Sequence, residues 1–208
     1  MTGVNSISSK IIQPMNDESQ LRFGTYSILA SLLSTTPSQD LLDSLKRIKP
    51  SSVDNIGGVG QAWQQICLAT TETDLDSLDD EYHALFIGLG RGAVVPFGSW
   101  HITGFLMDKP LSDLRDDLKT LGIESDENQK DPEDHISALC ESMALIIAAD
   151  DIDESREQQF FFRHINPWAG KFFKELVVAD SAEFYKSVGF LGQQFIEFEN
   201  QYLNIQTH

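Results

Sequence analysis

Apolar residues recur at steps of three and four along most of this chain, a spacing that predicts helices almost throughout. Leu21, Ile28, Leu29 and Leu32 line one face of a first helix, capped near Asp17 and broken before Pro37. A short helix over about 39 to 48 follows, and beyond Pro50 and the Gly57-Gly58 turn signal a third carries Trp63, Ile66 and Cys67. Leu75, Leu78, Tyr82, Leu85, Phe86 and Leu89 define a fourth, with Thr73 or Asp74 as its cap.

Between Gly88 and about Gly104 the period fails, because Gly, Pro and Val replace the amphipathic pattern. That predicts a long ordered loop, or a loop with one strand-like turn. A fifth helix follows Pro110 and ends at Gly122, and the polar run Glu124 to Lys130 reads as a hinge. Ile136, Leu139, Cys140, Met143 and Ile147 stripe a sixth helix, Phe160 to Phe162 thicken a seventh, and an eighth starts at Pro167. Phe184, Val188, Leu191, Phe195, Phe198 and Tyr202 form a last seam that must bury against a neighbour. The expectation is an all-α bundle of about nine helices: an N-terminal half over 1–122, a hinge over 123–131 and a C-terminal half over 132–208.

The 208 residues suffice for one sizeable core without disulfides or metals. A formal charge of -17 argues against nucleic acid or anionic lipid as a partner and favours a cationic one. Cys67 and Cys140, 73 positions apart, form no Cys-x-x-Cys pair, which points to a reduced compartment. Neither a signal peptide nor a membrane span is legible, so the chain reads as cytoplasmic and soluble, with no stable membrane insertion.

Candidate chemistry is sparse. Gly88-Leu89-Gly90-Arg91-Gly92-Ala93 formally fits a dinucleotide fingerprint, but it follows a helix and lacks the βαβ setting, so the glycines read as a turn. The five histidines form no metal-binding array on one helix, and neither metal nor cofactor is expected. Asp131-Pro132-Glu133-Asp134-His135 reads as a helix start, with Asp131 as N-cap, Pro132 in the first position and two acids against the helix dipole. Asp134 beside His135 also permits an acid/base pair, although no nucleophile completes it. Phe97, Trp100, Phe105, Leu106 and Met107 sit on the non-helical segment, where an exposed cluster would make a wall for an apolar peptide.

Taken in order, Glu81-Tyr82-x-x-Leu85-Phe86-x-Gly88, Pro96-x-x-Ser99-Trp100, Lys109-Pro110-Leu111, Asp131 to Ile136 and His164-x-x-Pro167-Trp168 resemble the TorD/DmsD family of redox-enzyme maturation chaperones. Within it, Ser99 through Pro110 look closer to the chaperones encoded with formate dehydrogenases. The resemblance implies an all-α cytoplasmic protein, not an enzyme, that binds the twin-arginine signal peptide of a molybdenum-cofactor oxidoreductase precursor until its cofactor is inserted. By matching motif it assigns peptide binding to Tyr82, Leu85, Phe86, Ser99, Trp100, Pro132, Asp134 and His135, and it implies a homodimer made by exchanging halves about the hinge. Two departures stand out: Leu89 lies between two glycines where the family often has Pro, and Asp131 takes the place of Glu. The competing classes are a helical adaptor that docks a folded partner and a small-molecule enzyme using Asp134 and His135.

Overall fold

The computed structural model describes residues 15–48, 58–88, 92–124 and 131–205. Over these the chain is all-α, with ten α-helices and two π-helical turns. The helices are α1 (Asp17–Ser34), α2 (Gln39–Arg47), α3 (Val59–Glu72), α4 (Leu75–Tyr82), α5 (Gly98–Thr103), α6 (Lys109–Leu121), α7 (Ile136–Ala148), α8 (Glu154–Phe160), α9 (Ala169–Val178) and α10 (Phe184–Ile205). One π turn, His83–Ile87, continues α4, and the other, Phe161–Ile165, continues α8. The expected hinge falls largely on 125–130, outside the described residues, as do Leu89 to Arg91 of the glycine-rich run.

Local chemistry sets most helix ends. Asn16, Ser38, Asp74, Asp108 and Asp153 each accept a first-turn N–H through the side chain, which satisfies donors a helix start otherwise leaves orphaned. Gly122, at φ 73°, closes α6 in the left-handed conformation. The start of α10 is capped from a distance, because the Glu81 carboxylate accepts the N–H groups of Glu183, Phe184 and Tyr185 at 2.7, 3.0 and 2.7 Å.

The core is centred on α7, whose buried residues run from Ile136 to Ile146 and cover nearly its whole circumference. α1 packs on α7, α10 packs on α9 and α3, and α2 packs on α3. The core is thus continuous across the expected boundary between halves. Within it lies a buried polar knot. The Arg22 guanidinium forks onto Glu199 at 2.6 and 2.8 Å, also binds Glu157, and lies over the Tyr202 ring, while the Tyr26 hydroxyl donates to Glu199 at 3.0 Å. Burial raises Glu199 above the usual carboxylate range, against the pull of Arg22. The apolar seam of α10 does not announce this acid.

Three sequence expectations are corrected. The segment after Gly88 is not one long loop, since α5 forms within it at 98–103, and the strand-like turn reduces to a single bridge at Phe97. The last helix but one begins at Ala169 instead of Pro167, after a turn through 166–168. Asp131 and Pro132 do not start a helix: 131–135 is extended and turned, and α7 begins at Ile136 with His135 as its N-cap.

Candidate functional site

The two sequence motifs are brought together by the unwinding of α4. In the π turn, Gly88 N–H reaches back to His83 O at 2.8 Å, which releases the Ala84 and Leu85 carbonyls. They accept Ala93 N–H at 3.3 Å and Val94 N–H at 2.9 Å, folding the following segment back over the turn. Gly92 is required there, because a Cβ would lie 2.2 Å from Leu85 O. The chain then runs alongside 134–136: Gly98 N–H donates to Asp134 O and Ile136 N–H to Pro96 O, both at 2.9 Å, around the Phe97–His135 bridge. Asp131 is near enough to Tyr82 for its charge, with burial as the larger cause, to raise the phenol's pKa.

Asp134 is a cap, but for a different helix from the one the sequence suggests. Its buried Oδ2 accepts Ser99 N–H at 2.8 Å, in the first turn of α5. Its other oxygen, Oδ1, is buried without a hydrogen-bond partner among the described residues. His135 accepts Ser137 N–H at Nδ1 (3.2 Å) and lies 2.6 Å from the Ser137 hydroxyl, so it caps α7 as a neutral ring. Burial pushes its pKa down, opposed by Asp131 and Asp134. Adjacent in sequence, the two residues thus serve different helices. They do not form an acid/base pair.

A cavity of about 170 Å³ opens against Asp134, with Ser99, Ile102, Leu139, His164 and Trp168 in its wall. The second π turn supplies His164, whose Nε2–H donates to Asp117 Oδ2 at 2.7 Å, and Arg163 binds the same oxygen at 2.7 Å. Burial lowers the His164 pKa, with Asp117 acting in the opposite sense. Trp168 donates its indole N–H to His164 O at 2.7 Å and stacks on His101 at 5.1 Å. Gly98 lies directly under that indole, where a Cβ would be 2.9 Å from Nε1.

Beside the cavity, Ile102 (45% exposed) leads into the α5–α6 connection, where Phe105 (71%), Leu106 (48%) and Met107 (71%) are turned to solvent. The apolar cluster expected on this segment is therefore exposed in its second part, whereas Phe97 and Trp100 are half-buried.

Of the residues singled out from sequence, Ser99 and Asp134 line the cavity, and Ser99 is fully buried. Leu85 is wholly in the core, while Tyr82 and Phe86 pack on Tyr185 at 6.1 and 5.2 Å. Pro132 is half-buried and gives its carbonyl to His135 N–H at 3.0 Å. Sequence reasoning did not place Gly98, Ile102, Asp117, His164 or Trp168 in the site. The His164-x-x-Pro167-Trp168 run was the available signal for the last two. Among the described residues no His, Cys, Asp and Glu group is arranged to hold a metal ion, and no helix is long and apolar enough to cross a membrane.

Comparison with known proteins agrees with the motifs. Chaperone protein TorD of Vibrio atlanticus is 28% identical over 147 residues, covering 65% of this chain and 68% of that protein. TorD of Vibrio parahaemolyticus is 25% identical over 134 residues, covering 59% and 62%. The chain thus spans about two thirds, or slightly less, of the length of these relatives. The crystal structure of a protein from Archaeoglobus fulgidus described as a redox enzyme maturation protein superposes with a TM-score of 0.56, over 91% of this chain and 99% of that one, at 17% identity. That likeness establishes the fold. Residues 56–174, which hold every motif described above, match the family of the nitrate reductase delta subunit, and the chain belongs to that TorD-like family.

Proposed function

We propose that this chain is a cytoplasmic maturation chaperone that binds the twin-arginine signal peptide of a molybdenum-cofactor oxidoreductase precursor and holds the precursor before export. One observation carries the reading: an exposed apolar group, Ile102, Phe105, Leu106 and Met107, lies beside a cavity lined in part by Asp134, one of whose carboxylate oxygens is buried with no partner among the described residues. A twin-arginine signal offers the matching halves, two guanidinium groups followed by an apolar stretch. The net charge of -17 favours its approach. The relatives named TorD chaperones support the same reading.

The apolar half dominates the affinity. Covering three or four large side chains contributes several kcal/mol at roughly 25 cal/mol per Å². Exposed arginine–carboxylate pairs add about 0 to 1 kcal/mol each. Titration calorimetry with isolated signal peptides tests this, with an expected dissociation constant in the micromolar range or tighter, on the order of -8 kcal/mol. Serine in place of the peptide's core leucines abolishes binding, and lysine in place of its arginines reduces it modestly. No heat and no anisotropy change with any molybdoenzyme signal peptide from the source organism would sink the proposal. Binding to a mature client stripped of its leader would favour the adaptor instead.

A further inference from the structure

Ser99 is fully buried, so its side chain cannot touch a peptide lying on the surface. Its three polar groups are all engaged within the protein. The N–H donates to Asp134 Oδ2, the carbonyl accepts the Thr103 hydroxyl at 3.0 Å, and Oγ accepts the N–H of Met107 at 3.1 Å. Met107, at φ 57°, is the one non-glycine with positive φ among the described residues. An L side chain in that region costs roughly 1–2 kcal/mol, and such a conformation persists only where neighbours hold it.

The loop around it is short and fixed at both ends. Gly104, at φ 83°, closes α5 with a 2.8 Å bond to Trp100 O, and Asp108 caps α6 through Lys109 N–H at 2.7 Å. Between them the Thr103 hydroxyl accepts Phe105 N–H at 3.3 Å. The left-handed turn at Met107 is what lets so short a connection present Phe105, Leu106 and Met107 together beside Ile102. Among the described residues, the hydroxyl of Ser99 is the only side-chain group bonded to that residue's N–H.

We propose that Ser99 is a positioning residue: its hydroxyl holds Met107 in the left-handed conformation and so fixes the shape of the apolar surface that receives a client peptide. The inference rests on the peptide-binding reading and adds the element that shapes the binding surface. Ser99→Ala is a clean perturbation, because it keeps the backbone N–H that Asp134 caps.

The test is a double-mutant cycle with Met107→Asn, since asparagine adopts the left-handed region far more readily than methionine. In the wild-type background, Ser99→Ala weakens binding of a signal peptide about fivefold and speeds hydrogen exchange at the Met107 amide similarly, the equivalent of one ordinary hydrogen bond. In the Met107→Asn background the same change costs less than about twofold, because the turn no longer depends on the hydroxyl. Equal losses in both backgrounds, or an unchanged Met107 amide, would overturn the proposal. If wild-type protein binds no signal peptide, the functional reading fails, while the exchange measurement still decides the role of Ser99.

Discussion

Asparagine and alanine at position 134 separate the two oxygens of one carboxylate. Oδ2 accepts Ser99 N–H at 2.8 Å, and an asparagine amide oxygen keeps that bond in weaker form. A hydrogen bond to a charged group contributes about 1.5–3 kcal/mol and a neutral one about 0.5–1.5, so Asp134→Asn costs about 1 kcal/mol. For a chain of this size that lowers Tm by roughly 2–4 °C. Asp134→Ala removes the cap altogether, at about 0.5–2 kcal/mol, and leaves the buried Ser99 N–H unsatisfied at a further 1–3 kcal/mol or so. Its Tm falls two to three times as far.

Peptide affinity should follow a different order. On the proposed reading a cationic group of the client enters the cavity that Asp134 lines, and both variants remove the charge and forfeit the charge-assisted bond that group would make to Oδ1, the oxygen with no partner among the described residues. That corresponds to roughly a 10- to 150-fold increase in Kd for either one. Thermal unfolding followed by circular dichroism and anisotropy with a labelled signal peptide give the two orders independently. If Asp134→Asn retains wild-type affinity while Asp134→Ala loses affinity in proportion to its stability, the carboxylate is a cap of α5 and nothing more.

The Arg22–Glu199 knot predicts that Glu199→Ala lowers stability by about 3 kcal/mol, because the buried guanidinium keeps only the Glu157 carboxylate, and that replacing Arg22 and Glu199 by Met and Leu costs less; urea midpoints measure both, and equal losses refute it. Burial is the first cause lowering the pKa values of His101, His135 and His164 below the ordinary 6.5. As pH falls through 6.5 the unfolded chain takes up these protons before the native one does, so stability present above that pH is lost below it, and a urea midpoint that stays level to about pH 5.5 contradicts the assignment. Finally, α1 packs on α7 and α3 on α10 across the 125–130 segment, so exchanging 132–208 between two chains would rebuild the same contacts. Size exclusion after partial unfolding and refolding should give an interconverting monomer and dimer, and a single species at every concentration speaks against exchange.

The fold was legible where local chemistry and apolar spacing agree. Asp74, Gly122 and the α10 seam each set an element where the sequence places it. α5 escaped the pattern for a physical reason: it is six residues long, has no side-chain cap from its own N-cap residue, and is held by Asp134 from a distant segment. The π turn after Tyr82 was equally invisible, because Leu85 and Phe86 satisfy a helical period whether the hydrogen bonds close at four residues or five. The Asp131 to His135 run misled for the converse reason. It contains every residue of a helix start, yet Ile136 N–H is taken by Pro96 O, and a tertiary bond overrides the local preference.

The motifs and the surface they support are different sets of residues. Leu85, Ser99, Asp134 and His135 are buried, and their bonds fix where three segments meet: the end of α4, the start of α5 and the start of α7. Such positions are tightly specified, since changing one strands a donor or opens a void, and a motif read from sequence therefore finds the frame more easily than the contact surface. Phe105 and Met107, at 71% exposure, meet no comparable packing demand and are freer to vary. A frame of buried polar bonds beneath an exposed apolar loop lets the bonded residues set the backbone while, on the proposed reading, the loop side chains set affinity. If the proposed reading holds, substitutions at Leu85, Ser99 and His135 should change affinity through geometry, those at Asp134 through charge as well, and those at 105–107 through lost apolar area.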